Sequence, residues 1–367
     1  MTPADRAGLS RALELAEHGR YTSSPNPMVG ALLVRGGRTL AEGWHKRAGG
    51  PHAEAVVLAR AGAAARGATL YVSLEPCAHM GRTPPCADAI VKAGVRRVVA
   101  AAPDPNPVSG HGLARLRRAG LEVLLASGEP RHAAERQNER FRRWAAQGRP
   151  FVLAKWAASL DGKIATSEGR SRWISSGGAR RRALLLREEY DAVLVGARTV
   201  AADDPRLTRR LGRNPLPHRR IVLDGRLSAP ESARLFRRPE GVIVATASAA
   251  SDAKARRLAS RGVDVWSLPS RRPGKVALPK LLARLGKEGV TGLLVEGGGE
   301  THWSFFAEGL VDRVLVLLAP RILGGAAAVP AVGGEGFALA RTPQLEDLEV
   351  ERLAGDLLLT ARVRRAR

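Results

Sequence analysis

Cysteine, aromatic residues and acids are all scarce in this 367-residue chain, and each shortage narrows what the chain can do. Two cysteines, Cys77 and Cys86, cannot staple a chain of this length, and a close pair in a reducing compartment is more often a metal-binding or catalytic pair than a disulfide. Aromatics make up 4% of the residues, too few for the stacking platforms on which single-strand nucleic-acid binders rest. No run approaches the ~20 apolar residues of a membrane span, and the opening MTPADRAGLSRALELAEHG lacks an apolar signal-peptide core. A cytoplasmic location without membrane contact is therefore expected. The 35 acids face 59 Lys and Arg, a net charge of +24. Such a field attracts anions, whether phosphorylated metabolites, dinucleotides or nucleic acid. No like-charged block stands apart as a tail, however, and a compositional bias toward Ala, Arg and Gly accounts for the charge equally well.

What is present is an alternation of patterns. In the first half a helix is expected over 5–18, a strand over 29–34, a helix over 52–63 and a strand over 68–74. A helix over 86–93, a strand over 96–101, a helix over 113–118 and a strand over 121–126 follow, which predicts an α/β layered domain. Residues 131–148, RHAAERQNERFRRWAAQG, read as one charged helix stopped by Gly148 and Pro150. Strands return over 151–158, 191–196, 219–224, 241–246, 263–268, 291–297 and 312–319, the pattern of a second α/β domain. LEDLEVERLAGDLLLTARV then reads as two strands turning at Ala354-Gly355-Asp356, an antiparallel edge hairpin. The length suits two domains, with expected bounds 1–147 and 148–367. The Arg- and Pro-rich stretches 209–219 and 267–275 read as surface loops.

The chemistry concentrates in His52-Ala53-Glu54, Glu75-Pro76-Cys77 and Pro84-Pro85-Cys86. A catalytic zinc needs three protein ligands and an open position for water, and one imidazole with two thiolates supplies them. Glu54, two residues from the histidine, is placed to take a proton from that water and pass it to a ring nitrogen and a departing ammonia. The pattern is similar to the His-x-Glu and Pro-Cys-x-x-Cys signature of zinc deaminases. Here eight residues separate the cysteines. A lengthened loop can move the second thiolate or let another group, such as His79, compete for the metal. Gly49-Gly50-Pro51 leads into a helix at His52, and Cys86 starts a helix, where backbone dipoles favour a thiolate.

PNPMVG from Pro25 to Gly30, His52-Ala53-Glu54, and EPCAHMGRTPPC from Glu75 to Cys86 together resemble the deaminase half of the bifunctional riboflavin-biosynthesis deaminase/reductase family, and the likeness continues through Asp104-Pro105-Asn106-Pro107. The long gap between the cysteines is that family's own variant. The resemblance implies a cytidine-deaminase-like αβα domain in which His52, Cys77 and Cys86 hold zinc and Glu54 is catalytic. It further implies that Asn26, His45, His79, Arg82 and Thr83 surround the pyrimidine or its ribose phosphate. Read alone, Arg82 and Thr83 are equally surface residues, and Asn26 between two prolines is equally a turn residue.

The second half has no Gly-x-Gly-x-x-Gly, so a Rossmann reading has no direct support. In GLLVEGGGETHWSFF a strand runs into Gly297-Gly298-Gly299 and then a helix, a cradle for a pyrophosphate or simply a tight turn. KWAASLDGK from Lys155 to Lys163, the pair Ser171 and Trp173, and the segment from Thr199 through Asp203-Asp204-Pro205-Arg206-Leu207-Thr208 resemble the reductase half of the same family. That likeness implies a dihydrofolate-reductase-like α/β domain using NADPH. Ala157, Trp173, Thr199, Asp203, Gly298, Gly299, Glu300 and Thr301 would line the cofactor; Ser171, Arg187, Leu207, Arg210 and Glu296 would line the substrate. Lys155 and Glu296 would lie near the hydride-transfer centre. Lys155 also signals itself, because a lysine within an apolar strand needs a partner or a function. Gly225 departs from the family, which usually has a serine there near the cofactor.

The expected activities are hydrolytic deamination of 2,5-diamino-6-ribosylamino-4(3H)-pyrimidinone 5′-phosphate, then NADPH reduction of the ribosyl chain to ribityl. Zinc and NADPH are the implied cofactors, phosphorylated pyrimidines the partners rather than nucleic acid, and a homo-oligomer the expected assembly. Two rival readings remain. One is an RNA or nucleobase deaminase with a basic nucleic-acid-binding second domain, against which stand the few aromatics and the lack of an RNA-binding motif. The other is a single-activity deaminase with a degenerate reductase domain, which Gly225 would favour.

Overall fold

The computed structural model describes residues 1–80, 84–171, 174–249 and 252–364. The chain divides into two compact units, Met1–Gly148 and Arg149–Arg367.

The first unit runs α1 (Pro3–Glu17), β1 (Gly30–Arg35), β2 (Arg38–Trp44), α2 (Ala53–Ala61), β3 (Thr69–Val72), α3 (Cys86–Lys92), β4 (Arg97–Ala100), α4 (Gly112–Arg118), β5 (Glu122–Leu125), α5 (Glu129–Gln137) and α6 (Glu139–Gln147). Its five strands are ordered β2-β1-β3-β4-β5. β1 is antiparallel to both neighbours, and β3, β4 and β5 are parallel. Apolar residues on β1, β3 and β4, including Leu33, Leu70 and Val98, form one core with Leu9 of α1, Val57 of α2 and Ile90 of α3. α1 begins with a capping box in which Thr2 and Asp5 exchange side-chain-to-backbone bonds, so two orphan N–H groups are satisfied at once.

The single charged helix expected over 131–148 is two helices, α5 and α6, broken at Asn138. The break has a tertiary cause. The Asn138 side chain is buried; its Oδ1 accepts from Met28 N at 2.8 Å and its Nδ2 donates to Met28 O at 2.9 Å. That amide closes the backbone of the segment leading into β1. Asn138→Ala leaves both backbone groups buried without partners, and a loss of about 2–3 kcal/mol is expected, read as a lower midpoint of urea unfolding. An unchanged midpoint would remove the clamp from the account.

The second unit comprises β6 (Phe151–Ser159), β7 (Lys163–Ala165), α7 (Gly177–Glu189), β8 (Ala192–Gly196), α8 (Ala197–Asp203), β9 (Arg219–Leu223), β10 (Val242–Thr246), α9 (Ala253–Ser260), β11 (Asp264–Ser267), α10 (Leu278–Lys287), β12 (Gly292–Val295), α11 (Gly299–Ala307), β13 (Arg313–Ala319), β14 (Val329–Pro330), β15 (Leu345–Leu353) and β16 (Asp356–Val363). Nine strands make one sheet, β11-β10-β9-β8-β12-β6-β13-β16-β15. The strands from β11 to β13 are parallel, and the expected C-terminal hairpin is its antiparallel edge. Parallel strands need apolar residues on both faces, which is why β8 is buried at every position. The chain steps outward from β8 to β11 and returns to insert β12 between β8 and β6. In open α/β sheets a ligand crevice lies at the carboxyl ends of the strands beside such a reversal. Among the described residues, no helix is long and apolar enough to cross a membrane.

Candidate functional site

In the first unit His52 caps the N-terminus of α2, and Cys86 is the first residue of α3. Cys77 follows β3, and its Sγ accepts from Cys86 N at 3.4 Å, so the second cysteine's own backbone orients the first. His52 Nδ1 stands 3.6 Å from Cys77 Sγ and 3.3 Å from Cys86 Sγ. Tetrahedral zinc at ordinary bond lengths separates such nitrogen and sulfur donors by about 3.5 Å, so the donor set fits that metal. The three donor atoms lie within 4.8 Å of one another, and His79 stands outside the cluster. The contact between the two thiols lowers the Cys77 pKa, and the same contact together with burial raises that of Cys86.

Glu54 lies in the first turn of α2 and is 3% exposed. Its Oε2 has no hydrogen-bond partner among the described residues. Burial pushes its carboxyl up to about 6, although His52 pulls the other way. A carboxyl poised there can take and return a proton near neutrality. His45 is buried, and burial lowers its pKa, keeping the ring neutral. Its Nδ1 faces Pro51 O at 3.0 Å, so the proton belongs on that nitrogen; Nε2 then accepts from Asn26 Nδ2 at 3.1 Å. The ring packs edge-on against His52, with centroids 5.5 Å apart. Asn26 and His45 are thus brought together beside the His52 ring. His79 is half-buried, and its Nδ1 has no partner among the described residues. Arg82 and Thr83 lie outside the described residues.

Glu75 had no role in the sequence reading beyond its place in the motif. Its carboxylate accepts from Asp104 N at 3.1 Å and Leu113 N at 3.0 Å, tying the Asp104-Pro105-Asn106-Pro107 segment and the start of α4 to the cysteine loop. An acid immediately before Pro-Cys was the available signal.

In the second unit Lys155 lies mid-strand in β6 and Glu296 directly follows β12. Lys155 Nζ is 3.9 Å from Glu296 Oε1. Arg187 of α7 grips Glu296 Oε2 through Nε at 3.0 Å and Nη2 at 2.6 Å. Burial lowers the lysine's pKa. Burial also opposes charge on Glu296, but Arg187 and Lys155 outweigh it and hold the carboxyl below its usual value. Glu296 Oε1 makes no hydrogen bond among the described residues, leaving an ion-paired acceptor in the crevice.

Ser171 Oγ donates to Asp203 Oδ1 at 3.1 Å, so one residue expected at the substrate and one expected at the cofactor touch each other. Gly298 caps α11, and where its side chain would be, the nearest atom is Thr199 Oγ1 at 3.5 Å, which leaves the cradle open. Gly299 is the first residue of that helix. The Thr301 side chain is buried against Gly196 and Gly297, and Glu300 Oε1 accepts from Gly334 N at 3.0 Å. Thr301 therefore packs the cradle's wall, while the exposed Glu300 ties the start of α11 to the loop at Gly334. Ala157 is half-buried against the sheet core. Leu207 is 1% exposed in that core, at a left-handed φ of 55°, so its side chain cannot reach a substrate. Arg210 is exposed, and Trp173 lies outside the described residues. Gly225 follows β9, where a Cβ would stand 2.0 Å from Gly274 O. A serine is sterically excluded there as the loop stands.

Residues 3–102 match the model of the cytidine and deoxycytidylate deaminase zinc-binding region, and residues 150–359 match the RibD C-terminal domain. The riboflavin biosynthesis protein RibD of Aquifex aeolicus is 41% identical over 97% of each chain. RibD of Acinetobacter baumannii superposes with a TM-score of 0.87 at 36% identity, covering 98% of this chain and 99% of that one. A Thermotoga maritima structure described as a diaminohydroxyphosphoribosylaminopyrimidine deaminase/5-amino-6-(5-phosphoribosylamino)uracil reductase superposes with a TM-score of 0.86 at 35% identity, covering 98% of each. The first unit accordingly has a cytidine-deaminase-like fold, and the second has the dihydrofolate-reductase-like fold of the reductase domain. With relatives this similar along almost its whole length, the chain belongs to the RibD family of riboflavin-biosynthesis proteins.

Proposed function

We propose that this chain catalyses two steps of riboflavin biosynthesis: zinc-dependent deamination of the diaminopyrimidine ribosylamine phosphate, then NADPH reduction of its ribosyl chain to ribityl. Residues 1–147 are assigned to the first step and 148–367 to the second, an assignment supported by the two family matches. The observation that carries the reading is the meeting of His52, Cys77 and Cys86 beside a buried carboxyl raised to about 6. Zinc, when bound, supplies Lewis acidity that makes water a nucleophile near neutral pH. Glu54 takes the first proton of that water and passes it to the ring nitrogen as the oxygen adds to the carbon, then takes the second proton from the added hydroxyl and passes it to the amino group, which leaves as ammonia as the C–N bond breaks. Asn26 and His45, held in a fixed tautomer, orient the pyrimidine.

For the reduction, the nicotinamide carries the hydride and the protein orients it and supplies charge. The ribosyl-to-ribityl step adds a hydride to C1′ and a proton to the released ring oxygen; Lys155 is the proposed proton donor. Glu296 stabilises the charged lysine, and Arg187 keeps Glu296 ionised. Arg187 and Arg210 bind the phosphorylated side of the substrate, Ser171 and Asp203 fix the ribose region, and the segment 298–301 with Thr199 and Ala157 takes the cofactor. The positive field then has a small-molecule purpose, since substrate and cofactor both carry phosphate. A cytoplasmic location is supported by the two free thiols, which need a reducing compartment to serve as ligands. A homo-oligomer is supported by Leu345, Leu348 and Val350, apolar and exposed on edge strand β15.

The test incubates zinc-loaded protein with the diaminopyrimidine phosphate and follows ammonia release and NADPH oxidation separately. Ammonia release coupled to NADPH loss is expected. Ammonia without NADPH loss would reduce the chain to a deaminase with a degenerate second domain.

A further inference from the structure

Glu188 is a carboxylate in an unpromising place. It lies in the last turn of α7, where the helix dipole disfavours negative charge, and it is 0% exposed. It is held there by a loop of the opposite character. Oε1 accepts from Arg210 N at 3.0 Å and Leu211 N at 2.9 Å; Oε2 accepts from Arg213 N and Asn214 N, both at 3.1 Å. The Glu188 backbone O accepts from Asn214 Nδ2 at 2.6 Å. Burial works against the charge, and the four N–H bonds outweigh it. The same loop is tied to α7 by Arg209, which donates to Arg187 O at 2.9 Å and Tyr190 O at 2.8 Å.

The loop carries Arg206, Arg209, Arg210 and Arg213. Although Arg210 is exposed, partial desolvation of its guanidinium and the fields of Arg187, Arg206 and Arg234 disfavour its charge, and it forms no ion pair among the described residues. Arginines brought this close repel, and a loop of such composition needs a reason to stay folded against its helix. Arg187, the residue preceding Glu188, meanwhile holds Glu296 at the centre of the crevice. One turn of helix therefore connects the crevice to the arginine loop.

We propose that Glu188 is a positioning residue of the reductase: its carboxylate gathers the backbone of 210–214 and thereby presents Arg210 to the substrate phosphate. The inference rests on the reading of Arg210 as a phosphate ligand. An amide is the sharp probe, because Glu188→Gln keeps the shape but turns two acceptor positions into donors facing N–H groups.

The experiment measures reductase kinetics of the full chain with pre-deaminated substrate at saturating NADPH, together with inhibition by ribose 5-phosphate and NADPH Kd by fluorescence. Wild type, Glu188→Gln and Arg210→Ala are compared. Glu188→Gln is expected to raise KM and the ribose 5-phosphate inhibition constant about tenfold, the equivalent of one charge-assisted contact, with kcat within about twofold and NADPH Kd unchanged. An unchanged KM in Glu188→Gln alongside a raised KM in Arg210→Ala overturns the proposal. A parallel collapse of kcat and NADPH binding also overturns it, because general loosening does that. An unchanged KM in Arg210→Ala overturns the underlying reading of Arg210 instead. Should Glu188→Gln not fold, Asn214→Ala removes the Nδ2 tie to Glu188 O and the Oδ1 bond from Leu216 N while sparing the carboxylate; a KM rise of about threefold is expected, and none overturns the proposal.

Discussion

Glu54→Gln lowers ammonia release by at least about a hundredfold, while NADPH still reduces pre-deaminated substrate at the wild-type rate. The amide fills the same buried space but cannot take a proton, so the chemistry is lost without loss of the metal ligands. The measurement is a coupled ammonia assay run beside NADPH absorbance on the same preparation, with zinc content determined for both proteins. Loss of both activities would contradict independent sites, and retained deamination would remove Glu54 from the mechanism. The same carboxyl sets a pH dependence with a definite sign. Burial raises its pKa to about 6, and the ionised form is the base, so deamination falls as pH drops through that value. Zinc at the neighbouring ligands can only move this limb lower, because a cation favours the carboxylate.

Lys155→Met is the second large effect, a fall in reductase kcat of about a hundredfold with NADPH Kd little changed. Methionine matches the lysine stem in length and suits the apolar strand, so β6 keeps its packing. What disappears is the proposed proton donor, whose Nζ stands 3.9 Å from Glu296 Oε1. Glu296 retains its two bonds from Arg187, so no carboxylate is left buried without a cation. Stopped-flow absorbance at the nicotinamide band reads the step directly. A kcat near wild type would show that Lys155 balances charge only, and deaminase activity serves as the internal control for folding.

The legible parts of this molecule were those encoded by neighbours in sequence. The candidate zinc ligands were readable because His52-Ala53-Glu54 and the two Pro-Cys pairs are short local motifs, and the final hairpin because Ala354-Gly355-Asp356 separates two strand-like runs. Lys155 was readable from its apolar flanks. The break at Asn138 was not, since its cause is Met28, 110 positions away. β2 was passed over: Gly36-Gly37 marked the turn, but RTLAEGW alternates weakly and its pairing with β1 provides the stabilisation. Glu188 was invisible for a related reason: an acid among arginines at a helix end reads as a solvated side chain, and only the returning loop makes it a buried anchor. Leu207 was expected at the substrate by likeness, yet a left-handed turn swings its side chain into the core.

Gly225 has a consequence for anyone who would place a serine at its position. With Gly274 O only 2.0 Å from where its Cβ would stand, the glycine and the 270–275 loop occupy one volume between them. Grafting a hydroxyl at position 225 is therefore a two-locus problem: the single change costs stability, the loop change alone opens a void, and only the pair can be neutral. The two segments form a matched set, to be exchanged together between relatives or not at all.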